Sequence, residues 1–293
     1  AGNLLVFYFI YRNADQTDKI HAAIEKLASG ETSYKVDVND FSSLEAELAE
    51  GLNRISDGLE TALAEQVKSE RLKADLITNV SHDIKTPLTS IINYVDLIKR
   101  QHIEDPTVQK YLEVLDQKSQ RLKTLTEDLV EASRASSGNI KLEITNIDFV
   151  ELVQQTTGEF EEKYAIRHLE IVNTLPNEVI MIEADGRRLW RVLENLYNNA
   201  FKYALEGTRV YVTIEDHGAD VVFTIKNVSA NPLNISPDEL TERFVRGDVS
   251  RTTEGSGLGL SIAKDLTTLQ GGKFELIIDG DLFKAQITFP IKN

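Results

Sequence analysis

Apolar residues recur with helical spacing from Asp15 to about Ala135, with a break at residues 30–40. The pattern begins around Ile20, and Gly30 and the β-prone segment 34–38 interrupt it. It returns at Phe41, Leu44, Leu48, Leu52, Ile55, Leu59 and Ala62, with spacings of 3, 4, 4, 3, 4 and 3 residues. A heptad alternates 3 and 4, so the repeated 4 is a stutter that locally unwinds a coiled coil. We predict helix, connector, helix and coiled coil, as in a parallel dimer that relays a signal; a monomeric helical bundle is the alternative.

A second interruption comes at residues 102–107, HIEDPT, where Asp-Pro signals a turn and a helix start. One apolar face then continues to Val130. Two long helices joined by a short loop form a helical hairpin. Each helix has a wide apolar stripe and little within the chain to cover it, so we expect two hairpins to form a dimeric four-helix bundle.

From Ile140 onward the pattern mixes short alternating segments with amphipathic ones, which predicts a mixed sheet with helices on one face, an α+β sandwich. A domain boundary is expected near residue 138. The predicted strands are 140–146, 169–174, 179–183, 209–216, 220–227, 273–279 and 282–290; the predicted helices are 149–165, 186–203 and 257–270, and a polar loop fills 229–256.

The first 12 residues, AGNLLVFYFIYR, are almost wholly apolar and end in Arg12. A membrane helix needs about 20 such residues. We interpret the segment as the inner end of a truncated transmembrane helix, with Arg12 near the cytoplasmic face. The alternative is an apolar N-terminal segment that docks on a core.

Composition is that of a globular protein, with 41% hydrophobic and 27% charged residues. The formal net charge of −15 makes direct nucleic-acid binding a poor expectation, because no broad basic face neutralises phosphates. The chain has no cysteine, which excludes disulfides and thiolate chemistry and fits a reducing compartment.

The first polar cluster lies in NVSHDIKTPLTSII, residues 79–92. In a helix His82 and Thr86 share a face, and Asp83 lies about 100° round the axis. Pro87 cannot donate to the carbonyl of Asp83, so a continuous helix should bend there. Thr86-Pro87 is equally a fair N-cap and first-turn pair, with one helix ending near Ile84. The residues alone leave both readings open.

The second cluster is LENLYNNAFKYA, residues 193–204, which places Asn195, Asn199 and Lys202 on one helical face. A solvated face would explain them. The alternative is an oxygen ligand for Mg²⁺ together with a cation for phosphate.

The third cluster is TTEGSGLGLSIAKDL, residues 252–266, in which Gly255, Gly257 and Gly259 lead into a helix. Such a turn lets backbone N–H groups approach an anion. Arg246 and Arg251 lie just upstream in an acidic protein and suggest a lid that faces phosphate.

Taken in this order, the clusters resemble the bacterial two-component sensor histidine kinases over residues 72–290. SHDIKTPLTSI resembles that family's phosphoacceptor box, ENLYNNAFKYA its asparagine box, ERFVRGD its phenylalanine box and GSGLGLSIAK its second glycine box. The resemblance implies an all-α, coiled-coil and four-helix dimer followed by an ATP-binding domain of the GHKL type. Residues 13–65 resemble, more weakly, a HAMP relay module.

The family's roles then fall on matching positions. His82 would be the phosphoacceptor, Asp83 the acidic partner that orients its ring and takes its proton, and Thr86 the residue that orients water against a regulator's aspartyl phosphate. The nucleotide and its Mg²⁺ would be held by Asn195, Asn199 (the metal ligand), Lys202, Tyr203, Asn227, Phe244, Arg246, Arg251, Gly255, Gly257 and Gly259.

One departure concerns the adenine subsite. Where the family has Asp-x-Gly-x-Gly, this chain reads NVSAN, from Asn227 to Asn231. An amide oxygen still accepts from an amino group, but the bond loses its charge assistance. Asn231 could replace a glycine by adopting a left-handed backbone.

The resemblance therefore implies four segments: 1–12, the end of a membrane helix; 13–65, the HAMP-like relay; 66–137, the dimerisation and phosphotransfer hairpin; and 138–293, the ATP-binding domain. It implies an ATP- and Mg²⁺-dependent homodimer at the cell membrane, with this segment cytoplasmic, that phosphorylates a response regulator and dephosphorylates it. A nucleotide-independent signalling scaffold, or a relay with phosphatase activity only, is the alternative, because the adenine subsite is altered.

Overall fold

The computed structural model describes residues 2–41, 43–101, 103–138, 140–242, 244–245 and 256–292. Its contacts divide the chain into two compact units, Ala1–Lys73 and Ala74–Asn293. The division falls within one long helix, Ser43–Lys99, so each unit contains part of that helix. Over the described residues, no helix contains a stretch long and apolar enough to cross a bilayer.

The first unit contains helix α1, Gly2–Ala28, a 3₁₀ turn at Val38–Asp40 and the first part of α2, Ser43–Lys99. The connector between the helices is tied down by side chains of α2. The Asn53 amide donates to the Val36 carbonyl and accepts from the Val36 N–H, both at 2.9 Å. The Ser56 hydroxyl donates to carbonyls of the connector as well. Val36 is thus buried with Ala23, Phe41 and Ala49.

Helix α2 runs unbroken through Pro87, so the alternative of a new helix at Thr86 is wrong. Helix α3, Pro106–Ser136, begins as the Asp-Pro signal predicts: the Asp105 carboxylate accepts from the Thr107 N–H at 2.8 Å. An ion pair between Lys99 and Asp116, at 2.7 Å, joins the two helices. Large apolar side chains on α2 remain exposed in the single chain, among them Leu48, Ile55, Leu59, Leu63, Val67, Leu72, Leu76 and Val80.

The second unit also contains a five-stranded sheet of order β2-β4-β5-β7-β6, in which β2 and β4 are parallel and the other pairs antiparallel. A separate antiparallel pair joins β1 and β3. The strands are β1 Thr145–Asp148, β2 Glu170–Thr174, β3 Met181–Ala184, β4 Arg209–Asp216, β5 Asp220–Val228, β6 Lys273–Asp279 and β7 Leu282–Pro290; the helices are α4 Phe149–Ala165, α5 Gly186–Tyr203, α6 Pro237–Thr241 and α7 Gly259–Leu269.

These elements confirm the predicted α+β order, with three local corrections. Strand β1 begins at Thr145 rather than 140, because the preceding backbone is held by Asp185, whose carboxylate accepts from the Glu143 N–H at 3.0 Å. The predicted loop contains α6, with a capping box formed by Ser236 and Glu239. Helix α7 begins at Gly259 rather than 257, because Gly257 has φ +71°, outside the helical region.

Helices and sheet enclose one apolar core, in which the ring of Phe149 meets those of Phe223 and Phe289 edge-on. Two buried tyrosines have partners: the Tyr164 hydroxyl donates to the Tyr197 carbonyl at 2.6 Å, and the Tyr197 hydroxyl lies 2.6 Å from the Thr157 hydroxyl. Burial raises the pKa of both phenols. The α3 residues Ala132 and Ala135 are buried in this same core.

The C-terminal end of α5 is capped by the guanidinium of Arg167. It donates to the carbonyls of Lys202 and Ala204, both at 3.0 Å, and to that of Phe201. These carbonyls have no helical partner, and a cation at this end also complements the helix dipole. The cap fixes the last turn of α5, which carries Lys202.

Replacing Arg167 by Gln should lower the free energy of unfolding by about 1–3 kcal/mol, since hydrogen bonds from a charged donor are lost. Urea unfolding of the protein measures it. The control is Arg209→Gln, which removes an exposed pair with Glu170 at 3.1 Å and should have no measurable effect. Equal stability of the two variants would show that the cap contributes nothing.

Candidate active site

Helix α5 supplies one wall of the candidate site because its two faces differ in polarity. Leu189, Val192, Leu193 and Leu196 are fully buried and fix the rotation of the helix about its axis. The opposite face therefore points into a cavity of about 210 Å³. From the predicted set, this cavity is lined by Asn195, Asn199, Lys202, Tyr203, Asn227, Gly257 and Gly259.

Two buried amide atoms at this cavity have no hydrogen-bond partner within the described chain: Asn195 Nδ2 and Asn227 Oδ1. Asn227 is 2% exposed, and its Nδ2 donates to the Val228 carbonyl at 3.1 Å. This bond sets the orientation of the amide and leaves its oxygen as an acceptor. Buried polar atoms are normally paired, so an unpaired donor and acceptor in one cavity indicate a ligand.

The turn before α7 closes another side of the cavity. A Cβ on Gly257 would lie 3.0 Å from the Phe244 carbonyl carbon and from the Val245 oxygen, and one on Gly259 would lie 3.3 Å from Asn195 Oδ1. The Phe244 N–H donates to the Gly257 carbonyl at 3.0 Å. Only glycine therefore fits at Gly257, as the sequence predicts for a turn with close backbone approach.

Phe244 itself is 63% exposed and is not among the residues that line the cavity, so its contact with a nucleotide stays a prediction. Arg246, Arg251 and Gly255 lie outside the described residues. Asn231 does line the cavity, but the expectation of a left-handed backbone there is wrong, because only His168 and Phe244 have positive φ among the described non-glycine residues.

His82 lies on the exposed face of α2, as the continuous-helix reading predicts. Its side chain is 80% exposed, and Nδ1 is 3.6 Å from the Asp83 carboxylate. The Thr86 hydroxyl is exposed one turn further on, 3.5 Å from the His82 carbonyl. His82 borders a second, larger cavity of about 930 Å³ between the hairpin and α5.

The two cavities are neighbours, because Thr124, Arg191 and Glu194 line both. Sequence reasoning did not find this boundary. The residues come from α3 and α5, which are far apart in the chain, and no motif places them together. Their shared position becomes apparent only once α3 packs on the ATP-binding fold.

A cluster of charged side chains occupies this boundary. The guanidinium of Arg191 lies 2.5 Å from Asp128, 2.9 Å from Glu131 and 2.5 Å from Glu194. Arg188 lies 3.1 Å from Glu131. Burial raises the pKa of Asp128, and the neighbouring Arg191 partly opposes this shift. The cluster joins α3 to α5, and Ser256 extends it by donating to Asp128 at 3.1 Å.

Gly257→Ala should destabilise the fold by about 1–2 kcal/mol, since it places a side chain at positive φ, and the contacts at 3.0 Å add to the cost. The Phe244 amide should exchange its hydrogen faster. The control is Gly158→Ala within α4, where a Cβ meets nothing within 4 Å; it should stabilise by up to about 1 kcal/mol. If both variants are equally benign, the close approach at Gly257 is not a constraint.

Comparison with known proteins agrees with this geometry. Residues 72–138 match the family described as His Kinase A (phospho-acceptor) domain, and residues 184–292 match that described as Histidine kinase-, DNA gyrase B-, and HSP90-like ATPase. Together they take in more than half of the chain. Both parts of the site, the histidine hairpin and the amide-lined cavity, fall within the matched residues.

Curated relatives give the same result. The chain is 28% identical over 237 residues to the sensor histidine kinase WalK of Bacillus subtilis (strain 168), covering 79% of this chain and 39% of the relative. It is 31% identical over 229 residues to the sensor protein VanS of Enterococcus faecium, covering 76% of this chain and 58% of the relative. The chain thus spans less than two thirds of the length of either relative.

Solved structures support the fold. The full-length structure of ShkA in complex with AMPPNP aligns with a TM-score of 0.64 at 23% identity, covering 75% of this chain and 46% of that one. Histidine kinase ThkA in complex with response regulator protein TrrA aligns with a TM-score of 0.51 at 24% identity, covering 80% and 67%. With the phosphoacceptor hairpin and the ATPase fold matched in this order, the chain belongs to the two-component sensor histidine kinases.

Proposed function

We propose that this protein phosphorylates itself on His82 from Mg-ATP and passes the phosphoryl group to an aspartate of a response regulator. One observation carries the proposal: the exposed His82 borders a cavity that adjoins the amide-lined cavity of the ATPase fold, with three wall residues in common. A phosphoryl donor and its acceptor thus have adjoining sites within one compact unit.

The cavity residues fit a nucleoside triphosphate. The unpaired Asn227 oxygen can accept from the exocyclic amino group of adenine, which supports ATP over a nucleotide with a keto group at that position. Lys202 would supply a cation for phosphate and the unpaired Asn195 Nδ2 a hydrogen-bond donor. Tyr203 lines the same cavity and would lie near the nucleotide. The Asn227 oxygen thus offers an acceptor for a base although the family's carboxylate is absent, which favours the kinase over the scaffold alternative.

Mg²⁺ fits the site as a companion of the nucleotide. No group of three or more His, Asp or Glu side chains in the described ranges is placed to hold a metal ion. Asn199 offers a single amide oxygen at the cavity, which suits a cation that takes its other ligands from phosphate and water. When bound, Mg²⁺ would neutralise charge on the phosphates.

Asp83 can prepare His82 for attack. Its carboxylate faces Nδ1, and a proton held on that nitrogen leaves the lone pair on Nε2. Nε2 then forms the bond to the γ-phosphorus, the bond from phosphorus to the bridging oxygen breaks, and ADP departs with that electron pair. The Nδ1 proton moves towards the Asp83 carboxylate, which stabilises the positive charge on the ring.

Thr86 is proposed to act in the reverse direction of signalling, as the residue that orients water to hydrolyse the regulator's aspartyl phosphate. Its hydroxyl is exposed on the same face as His82. An incoming aspartate would therefore meet both side chains.

Assembly and location are proposals of the same kind. The exposed apolar stripe of α2 supports a parallel dimer, in which residues 13–65 form a HAMP-like relay, 66–137 the dimerisation hairpin and 138–293 the ATP-binding domain. Residues 1–12 would end a membrane helix and place the rest at the cytoplasmic face. The lid residues Phe244, Arg246 and Arg251, with Gly255, would cover the nucleotide.

His82→Gln should abolish labelling from γ-phosphate-labelled ATP, because no ring nitrogen remains to accept the phosphoryl group. Asn199→Ala should lower labelling and Mg-dependent nucleotide binding together. The control is His217→Gln, an exposed histidine beside Glu215 on the sheet, which should label normally. Acid-labile, nitrogen-linked label retained in the His82 variant would contradict the assignment.

Thr86→Ala should retain autophosphorylation and slow dephosphorylation of a regulator that the wild-type protein phosphorylates. A misplacement of the attacking water by about 1 Å can cost about 10²-fold in rate. The matched control is Thr61→Ala, another exposed threonine of α2 whose hydroxyl donates to the carbonyl four residues earlier, at 2.8 Å. Equal regulator dephosphorylation rates in both variants would remove the role of Thr86.

A further inference from the structure

The boundary between the two cavities carries an unusual charge arrangement. Of the three residues that line both cavities, Thr124 is neutral, Glu194 is anionic and Arg191 is cationic. A phosphoryl group that passes from a nucleotide to His82 crosses this boundary with its negative charge. Glu194 alone would repel it, so the guanidinium is the group at the boundary that can stabilise the transfer.

In the arrangement seen here Arg191 is fully engaged by carboxylates. Its three partners lie at 2.5 to 2.9 Å, and its side chain is 23% exposed. Two of the partners, Asp128 and Glu131, come from α3, and only Glu194 belongs to the same helix as Arg191. Separation of α3 from α5 would therefore release the guanidinium from two of its three partners.

Arg188 shows that the position of Arg191 is specific. It also pairs with Glu131, at 3.1 Å, but it lines only the cavity of His82 and does not reach the cavity of Asn195 and Asn199. Both arginines join α3 to α5, and one of them alone borders both sites. This difference makes Arg188 the matched control.

We propose that Arg191 contacts the phosphoryl group during transfer to His82, and that Asp128 and Glu131 hold it in reserve in the arrangement seen here. The inference rests on the proposed autokinase activity and adds a residue to it. Arg191 supplies charge only: the bonds made and broken remain those between the His82 ring nitrogen, the γ-phosphorus and the departing ADP oxygen. The guanidinium stays protonated throughout.

The Ser256 hydroxyl connects a carboxylate that holds Arg191 to the turn that closes the nucleotide cavity. It donates to the Asp128 carboxylate at 3.1 Å, accepts from the Leu258 N–H at 3.2 Å, and lies beside Gly257 in the turn that closes the cavity. A change in this turn on nucleotide binding would alter one of the carboxylates that engage Arg191. Nucleotide binding and release of Arg191 would then be coupled.

The test compares two variants that differ only at Arg191. Asp128→Asn with Glu131→Gln removes the α3 carboxylates and leaves Arg191 its pair with Glu194. This double variant should autophosphorylate at least as fast as the wild-type protein. Adding Arg191→Gln to that pair should lower the rate at saturating ATP at least about tenfold, a modest share of the effect of an arginine on phosphoryl transfer. Arg188→Gln in the wild-type background should change it less than about threefold, because Arg188 does not line the cavity of Asn195 and Asn199 and only contacts made in the transition state change the rate of the step.

Binding of ADP, which lacks the transferred group, is the readout that does not depend on activity. Calorimetry should give the same dissociation constant, within about twofold, for the pair and for the triple variant, because Arg191 contacts only the transferring group. A KM for ATP that changes little while kcat falls would agree. A structural role for Arg191 would instead weaken ADP binding and lower the unfolding midpoint together with the rate.

The proposed function, the role of Arg191 and the role of the two α3 carboxylates can each fail separately. If the wild-type protein takes up no label at His82, the proposed function itself fails. If it labels but the triple variant is as fast as the pair, Arg191 has no part in transfer and the inference is overturned. If the pair is slower than the wild-type protein, Asp128 and Glu131 assist transfer rather than holding Arg191 in reserve.

Discussion

The rotation of α5 about its own axis is the constraint on which the rest of the second unit depends. Four residues on one face are removed from water completely, at about 1.5–3 kcal/mol for each fully buried large side chain. A turn of the helix by one position would expose this face and bury amides instead, at a cost of the same order. The packing thus places Asn195 and Asn199 at the cavity, and the Arg167 cap holds the end that carries Lys202. Burial of the apolar face of α5 therefore determines the direction in which its polar face points.

The boundary beside this helix differs from its apolar face, because charged side chains are partly buried there and their removal from water costs free energy. Taking a carboxylate out of water is unfavourable, which is why burial raises the pKa of Asp128. A well-packed apolar contact would join α3 to α5 as well. Ion pairs differ from apolar contacts in having an alternative partner available. A guanidinium released from carboxylates can bind phosphate with the same geometry. Charged residues suit the proposed role of this contact, because that role requires Arg191 to exchange carboxylates for a phosphoryl group.

Most of the fold was open to prediction from the sequence. The limits of α4 and α5 and both hairpins follow from periodicity, caps and turn residues, all of which are local. Corrections arose where a distant residue decides the local structure: Asp185 holds the backbone before β1, and Gly257 leaves the helical region because Phe244 and Val245 lie against it. A capping box at Ser236 was readable but lay in a segment dominated by polar residues. The α5 wall of the cavity was predictable because Asn195, Asn199 and Lys202 recur at i, i+4 and i+7 on one helix. The Asp128–Arg191 contact was not, because it depends on how α3 packs.

At the altered adenine subsite, the contacts that the family's motif provides can be distinguished from the residues that usually provide them. The carboxylate is absent, but an adenine amino group needs only a fixed acceptor, and Asn227 offers one because its own Nδ2 donates to the Val228 carbonyl. The glycines are absent too, yet the backbone from Val228 to Asn231 needs no positive φ. Backbone hydrogen bonds hold it instead: the Ser229 N–H donates to the Asp281 carbonyl at 2.7 Å, and the Ala230 N–H donates to the Tyr203 carbonyl at 2.8 Å. The second of these bonds ties the subsite directly to the last turn of α5. If these residues bind the nucleotide as proposed, base recognition and phosphate recognition depend on the same helix. The altered sequence of the motif therefore does not imply a loss of its geometry.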